Sequence, residues 1–99
     1  MRKLNIGILA SHGGSNLQAI VDACKSEIII ATPVVVISNN SKSGALRRAK
    51  NEGIPCFHIS KSLYDDDNEV DYQITQKLLL YEVDLIVLAG YMKRLGELI

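Results

Sequence analysis

Net charge is the first property that this sequence lacks. Its 99 residues contain 11 lysines and arginines and 11 aspartates and glutamates, so the formal charge is zero. Nucleic-acid binding relies on a clustered basic surface, and the composition therefore argues against that class of partner. Hydrophobic runs are also short. The longest, Ile28–Ile37, is interrupted by Thr32 and Pro33 and falls short of the roughly 18 residues that span a bilayer. We expect neither a nucleic-acid nor a membrane partner.

Cysteine is scarce as well. Cys24 and Cys56 are far apart, and neither belongs to a CxxC motif or lies near a pair of histidines. This pattern predicts two reduced thiols in a cytoplasmic protein rather than a disulfide framework or a metal site. The N-terminal stretch Met1–Asn5 is basic, but it lacks a sustained apolar core and a small-residue cleavage site, so it reads as the start of a strand.

Apolar runs of strand length alternate with stretches of helical spacing. In the first helical stretch, Ser15–Lys25, apolar residues recur at i, i+3, i+4 and i+7. The predicted strands are Leu4–Ala10, Pro33–Ile37, Ile54–Ile59 and Asp84–Ala89. The predicted helices are Ser15–Lys25, Gly44–Glu52 with Gly53 as its C-cap, and one that follows Asp65–Asn68 and carries Val70, Ile74, Leu78 and Tyr81 in one stripe.

This order is βαβαβαβ, and it predicts an α/β fold. The strands are continuously apolar rather than alternating, which indicates that helices cover both faces of the sheet. Right-handed crossovers then give a Rossmann-like open parallel sheet in a three-layer α/β/α arrangement. A chain of this length holds one domain at most, since single domains take about 100–200 residues. We therefore expect one domain over residues 1–99.

The turn after the first strand holds the main candidate site. Gly13 and Gly14 allow a tight turn and a close approach to a ligand, and the N–H groups of Ser15 and Asn16 point out of the helix end. Such a loop favours an anion, most naturally a phosphate. The simpler alternative is a tight turn with a helix cap. Ser15 and Gln18 are in either case predicted to form an S-x-x-Q capping box, which marks the start of the helix.

The absence of two motifs limits the class of phosphorylated ligand that the loop could bind. The turn has no G-x-G-x-x-G fingerprint, and the second strand ends in Ser38-Asn39-Asn40 rather than in the acidic residue that binds a ribose hydroxyl. No G-K-[ST] sequence follows either, which excludes a Walker A loop. NAD and ATP are therefore disfavoured, and a small phosphorylated metabolite is preferred.

Other polar residues support weaker hypotheses. His12 either contributes to the phosphate site or is a solvent-facing loop residue, and His58 fits a satisfied core position. The run Asp65, Asp66 and Asp67 suits a helix start better than a metal site, because consecutive side chains do not converge on one ion. Ser15 is no nucleophile, since no G-x-S-x-G elbow surrounds it. We therefore predict no metal site.

Three stretches resemble the phosphoribosylglycinamide formyltransferases, the folate-dependent enzymes of purine synthesis. They are G-S-N-L-Q-A-I after the first strand, S-N-N after the second, and D-L-I-V-L-A-G-Y-M at the fourth, which is the most specific. The resemblance extends from about Leu4 to Leu95. Methionyl-tRNA formyltransferases and formyl-folate hydrolases share the fold, but the first loop favours the glycinamide ribonucleotide enzyme.

The resemblance implies two ligands and assigns residues to each. Gly14, Ser15 and Asn16, with Gly13, correspond to the loop that holds the 5′-phosphate of glycinamide ribonucleotide. The segment made of Met92, Lys93, Arg94 and Leu95 corresponds to the lining of the pterin pocket for 10-formyltetrahydrofolate. The family usually has arginine directly after the methionine, where this chain has Lys93, so the guanidinium contact is altered.

The family's catalytic residues have no counterpart in this sequence. Formyl transfer in the family depends on an Asn-x-His motif and a later Asp, which stabilise the oxyanion and relay the proton, and no Asn-x-His occurs in these 99 residues. The resemblance therefore implies that this chain is the N-terminal half of such an enzyme, truncated before the catalytic residues. That half would bind phosphate, and no catalytic residue is assigned within it. The alternative is a non-catalytic phosphate-binding or assembly module that self-associates through an incomplete sheet edge. A Rossmann half that binds NAD is a third, weaker hypothesis.

Overall fold

The structure is a computed structural model that describes residues 3–11, 13–64 and 66–90. Within these ranges the chain forms four strands and four helices, and each strand is followed by a helix except the last. In chain order they are β1 (Leu4–Ala10), α1 (Ser15–Lys25), β2 (Ala31–Ser38), α2 (Gly44–Asn51), β3 (Cys56–His58), α3 (Lys61–Tyr64), α4 (Asp67–Leu80) and β4 (Leu85–Leu88). The predicted βαβαβαβ order is confirmed, with the single turn α3 as an addition.

The four strands form one parallel sheet in the order β3-β2-β1-β4. The chain moves outward from β1 through β2 to β3 and then returns to the other side of β1 to form β4. The strand order therefore reverses between β1 and β4, which is where ligands bind in open parallel sheets. The pairing of β1 with β2 shifts register after Ile6, which lies opposite Pro33. A proline has no N–H to give to the ladder, which accounts for an irregularity at this point.

Helices cover both faces of the sheet, and each interface is apolar. On one face α1 and α2 pack through Leu17, Val21 and Ala45 onto the β1 residues Ile6 and Ile8. On the other face the α4 stripe packs on the sheet, and the buried members of this second cluster are Leu9, Val35, Ile37, Ile59, Val70, Ile74 and Leu78. The Rossmann-like three-layer arrangement follows from these two clusters and is confirmed.

The element boundaries follow the sequence closely, with small differences at the strands. Helix α1 has the predicted limits, and α2 is followed by Gly53 in the left-handed conformation at φ 72°. The N–H of Ile54 then donates to the carbonyl of Ala49 at 2.9 Å and closes the helix end. Strand β3 contains three residues and is shorter than the predicted Ile54–Ile59, because Pro55 cannot take part in the ladder as a donor.

The start of α4 confirms the interpretation of the acidic run as a helix start. Asp66 is the N-cap, and its side chain accepts a hydrogen bond from the N–H of Asn68 at 3.0 Å. Asp67 and Glu69 lie in the first turn, where the helix dipole favours negative charge. Asp65 lies outside the described residues.

Candidate functional site

The loops that follow β1 and β2 meet at the carboxyl edge of the sheet. Ser11 directly follows β1 and Ser38 is the last residue of β2, and both are buried. The Ser38 hydroxyl accepts a hydrogen bond from the N–H of Asn40 at 3.1 Å, and the Asn40 side-chain amide reaches the carbonyl of Ser11 at 3.5 Å. The S-N-N turn therefore lies beside the first loop, and both belong to one edge of the sheet.

Gly14 sets the direction in which α1 leaves this edge. It is the N-cap of the helix in the left-handed conformation, at φ 85° and ψ 18°, and its carbonyl accepts the N–H of Gln18 at 2.8 Å. The N–H groups before Gln18 have no acceptor within the helix. The helix has no acidic residue in its first turn, and Ser15 and Asn16 are exposed there. This end of α1 can therefore receive an anion from solvent.

The predicted capping box at the start of α1 is wrong. The N-cap is Gly14, which has no side chain, and Ser15 is the first residue of the helix rather than its cap. The Gln18 side chain bonds forward to Asp22 at 3.0 Å and to Glu52 at 2.9 Å instead of back to the helix start. The backbone turn at Gly14 already directs the chain into the helix, which leaves the Ser15 side chain exposed and without a capping bond.

The glycine loop is packed against the first turn of α2. A Cβ on Gly14 would lie 2.7 Å from the Cα of Ala45, and a Cβ on Gly44 would lie 2.5 Å from the carbonyl oxygen of Gly13. The Nε of Arg48 donates to the same Gly13 carbonyl at 2.9 Å. Gly14 is thus required by its left-handed conformation and by its contact with α2, whereas a Cβ on Gly13 would meet no atom within 4 Å in the part of the chain that the structure describes, its chain neighbours aside. The predicted close approach of this loop to a ligand stays a prediction.

Helix α2 brings a second N-terminus to this edge, which sequence reasoning missed. Its N-cap is Ser43, whose hydroxyl accepts the N–H of Leu46 at 3.3 Å. The sequence signal was Gly44 directly after a capping serine, since a glycine in a first helical turn often marks a close approach of two backbones. Next to this turn lies an open depression of about 340 Å³. Its lining residues are Ser41, Lys42, Ser43, Leu46, Arg47, Lys50 and Asn51.

His58, the last residue of β3, belongs to a hydrogen-bonded group with two serines that follow the strand. Its Nε2 is 2.7 Å from the Ser60 hydroxyl, which in turn is 2.7 Å from the Ser62 hydroxyl. His58 is half-buried, so its hydrogen bond satisfies a partly enclosed side chain. The hydrogen bonds that the structure gives His58 join it to Ser60 rather than to the glycine loop. His12 lies outside the described residues.

The second predicted site segment, Met92–Leu95, also lies outside the described residues. Among the residues that the structure describes, no group of three or more His, Cys, Asp and Glu side chains is arranged to hold a metal ion. In the same part of the chain, no helix is long and apolar enough to cross a membrane. Both cysteines are thiols, Cys24 buried and Cys56 half-buried.

Comparisons with known proteins agree on one family. The family model described as formyl transferase matches residues 4–99. Phosphoribosylglycinamide formyltransferase from Escherichia coli is 39% identical over 93 residues, which are 94% of this chain and 44% of that protein. The enzyme of that name from Haemophilus influenzae is 44% identical over 88 residues, which are 89% of this chain and 42% of that protein.

A solved structure extends the likeness to the fold. Glycinamide ribonucleotide transformylase 1 from Symbiobacterium toebii superposes with a TM-score of 0.90 at 36% identity, covering 95% of this chain and 44% of that one. The chain therefore spans less than half the length of these relatives. Because the family model covers nearly all of its residues, the chain belongs to the formyl transferase family.

Proposed function

We propose that this chain binds the 5′-phosphate of glycinamide ribonucleotide on the loop of Gly13, Gly14, Ser15 and Asn16. The observation that carries the proposal is the left-handed Gly14, which opens α1 toward the carboxyl edge beside the reversal of strand order. The relatives named phosphoribosylglycinamide formyltransferase support this choice of substrate.

The reaction we propose for the whole family member is transfer of a formyl group in purine biosynthesis. The donor would be 10-formyltetrahydrofolate, and the acceptor would be the amine of glycinamide ribonucleotide. By resemblance, Met92, Lys93, Arg94 and Leu95 would contact the folate. A single domain over residues 1–99 and a cytoplasmic location belong to the same proposal. One relative, from Glycine max, is named as chloroplastic.

The chain as it stands should bind without catalysing transfer. Its sequence has no Asn-x-His motif, and the glycine loop offers backbone donors for an anion but no general base beside them among the described residues. Acyl transfer needs both a proton acceptor and a stabilised oxyanion. Formylation of glycinamide ribonucleotide by a pure 99-residue sample would contradict this part of the proposal.

Substitution of Asn16 by Asp tests the phosphate site with little risk to the fold. Asn16 is exposed and is the second residue of α1, so a carboxylate there would repel a bound phosphate. We expect N16D to weaken binding of glycinamide ribonucleotide at least about tenfold in calorimetry, since like charges a few ångströms apart cost more than about 1 kcal/mol near a surface.

A matched control exists on the opposite face of the sheet. Asn68 is also exposed and is the second residue of its helix, α4. N68D thus makes the same chemical change at the same helical position, and its binding should equal that of the unmodified chain. Equal affinities for N16D and N68D would show that the phosphate binds elsewhere.

A second candidate function, an assembly module, is favoured by the edge strand β4. Leu85 and Leu88 are 51% and 56% exposed there, and β4 is the last strand on its side of the sheet in the described residues. An apolar edge of this kind invites pairing with another strand. Light scattering over a range of concentrations tests self-association. A mass that stays monomeric at high concentration would refute this candidate, and it would leave the phosphate proposal intact.

A further inference from the structure

The peptide bond between Gly13 and Gly14 is the unit of the glycine loop whose orientation matters most to a ligand. Glycine takes positive and negative φ about equally well, so two successive glycines leave the peptide between them free to rotate. One orientation presents its N–H to a ligand, and the opposite orientation presents its carbonyl oxygen. A loop that receives an anion therefore needs a restraint on this peptide from another part of the chain.

The conformation of Gly14 makes the N–H side of this peptide the useful one for an anion. Gly14 is left-handed at φ 85° and ψ 18°, and Ser15 begins α1 directly after it. A left-handed residue beside a right-handed helical one turns successive backbone N–H groups toward a common point, which forms a concave anion site called a nest. Such a nest here has the N–H groups of Gly14, Ser15 and Asn16 as its donors. The first of these donors belongs to the peptide between the two glycines.

Arg48 holds the carbonyl side of the same peptide. Its Nε donates to the Gly13 carbonyl oxygen at 2.9 Å, and the backbone of Gly44 packs against that oxygen, which a Cβ on Gly44 would approach to 2.5 Å. Among the described residues no peptide bond is cis, and the carbonyl oxygen and the N–H of a trans peptide point in opposite directions. Because the oxygen points toward α2, the N–H of Gly14 points away from α2.

We propose that Arg48 is a positioning residue, whose hydrogen bond to Gly13 keeps the peptide in the orientation that directs the Gly14 N–H to the ligand. Without this bond the peptide also populates the rotated orientation, in which the carbonyl oxygen faces the anion and repels it. The apparent affinity then falls with the fraction of molecules in the competent orientation. This inference rests on the proposed function, which assigns the 5′-phosphate to the glycine loop.

The charge of Arg48 offers a different explanation, which the test must separate from the hydrogen bond. In the described part of the chain, ion pairs join Lys3 to Glu27 and Lys25 to Glu52, and none involves Arg48. Its guanidinium could therefore attract an anion without orienting the peptide. Glutamine separates the two roles, because its Nε2 lies as many bonds from Cα as the Nε of arginine and donates without a charge. Methionine has a similar length and no donor.

NMR of the ligand-free chain tests the restraint on the peptide directly. In the unmodified chain, a scalar coupling across the hydrogen bond should join the Arg48 Nε to the carbonyl carbon of Gly13. In R48M the carbon-13 resonance of this carbonyl should move upfield, because the carbonyl loses its hydrogen bond, and in R48Q the resonance should return toward its original position. Absence of the coupling in the unmodified chain, or a resonance that R48M leaves unmoved, would overturn the proposal.

Calorimetry with glycinamide ribonucleotide tests the consequence for binding. R48M should lower the affinity at least about tenfold, as expected when a hydrogen bond from a charged donor is lost. R48Q should bind at least about threefold more tightly than R48M, because a neutral donor restores the orientation. R47M is the matched control, since Arg47 is exposed at the next position of α2 and lines the depression beside Ser43. It removes the same charge and should leave the affinity within about twofold.

The remaining outcomes also decide the proposal. Equal affinities for R48M and R48Q, or equal losses for R48M and R47M, would show that Arg48 acts by its charge alone. If R48M does not fold, R48Q decides instead, since it must keep the position of the Gly13 carbonyl resonance and bind within about tenfold of the unmodified chain. If the unmodified chain binds no glycinamide ribonucleotide, the proposed function itself fails. If it binds and R48M binds equally well, only the positioning role of Arg48 fails.

Discussion

Four glycine-to-alanine substitutions should separate the cost of backbone strain from the cost of steric contact, at the glycine loop and at the end of α2. G13A should add neither effect, since a Cβ on Gly13 meets no atom of the described residues beyond its chain neighbours within 4 Å and no left-handed φ is found there. G53A should add strain alone, because Gly53 has φ 72° and a Cβ on it meets none of the described residues beyond its chain neighbours within 4 Å. G44A adds contact alone, against the Gly13 carbonyl. G14A adds both, because Gly14 has φ 85° and lies against Ala45.

The structure sets the expected order of the four losses in stability. An alanine in the left-handed region costs about 1–2 kcal/mol, and forcing a methyl group into a packed contact costs about 1–3 kcal/mol. G14A should therefore lose about 2–5 kcal/mol, out of the roughly 5–15 kcal/mol that a domain of this size has in total. G53A should lose only the cost of the left-handed conformation and G44A only the cost of the steric contact, whereas G13A should leave the free energy of unfolding unchanged.

Thermal unfolding followed by circular dichroism is a sufficient assay. For a domain of this size, 1 kcal/mol changes the Tm by about 4–8 °C, so G14A should unfold at least about 8 °C below the unmodified chain. Urea unfolding at 25 °C gives the free energies directly. If G14A were no less stable than G53A, the contact between the glycine loop and α2 would be wrong, and with it the account of how the loop is held.

Three further predictions follow from other parts of the structure. Ser43→Ala should cost about 1 kcal/mol by removing the cap of α2, whereas Ser15→Ala should change the free energy of unfolding by less than about 0.5 kcal/mol, and urea unfolding of both compares them. Hydrogen bonds from Lys25, at 2.7 Å, and from Gln18 lower the pKa of Glu52 below its ordinary value of 4.5. The contribution of Glu52 to the free energy of unfolding should therefore be present above about pH 4.5 and be lost as the pH falls through the lowered pKa. In E52Q, the urea concentration at the unfolding midpoint should depend less on pH than in the unmodified chain between about pH 3 and 5.5. Burial raises the pKa of the Cys24 thiol, so iodoacetamide should label Cys56 first in the native chain and Cys24 only on unfolding; equal labelling rates would contradict the burial of Cys24.

The parts of the fold that depend on local pattern could be predicted from the sequence. The apolar spacing of α1 is local, and its limits, Ser15–Lys25, are those of the structure. The single turn α3 could not be predicted, because four residues are too few to show a helical period. The capping box failed because Gly14 can take a backbone conformation that removes the need for a serine cap.

The candidate site was predictable only in part, for a related reason. The glycines and the helix start are visible along the chain, but the contact of Gly14 with Ala45 joins residues that are distant in sequence. A sequence motif can show that a glycine is present without showing which neighbour requires it. The burial of Asp71 was also missed, because an aspartate in a helix is ordinarily expected to face solvent.

If phosphate binds at the glycine loop as proposed, the contact of that loop with α2 couples phosphate binding to the docking of the helix. A ligand that binds only when Gly14 contacts Ala45 also stabilises the docked position of α2. By thermodynamic linkage, the free energy of this stabilisation equals the free energy that docking contributes to the affinity of the ligand. Substitutions in α2 that loosen its packing away from the glycine loop, such as at the buried Ala49, should then lower the affinity for the ligand without changing a residue of the loop. In the opposite direction, the bound ligand should slow the local opening of α2 more than that of α4.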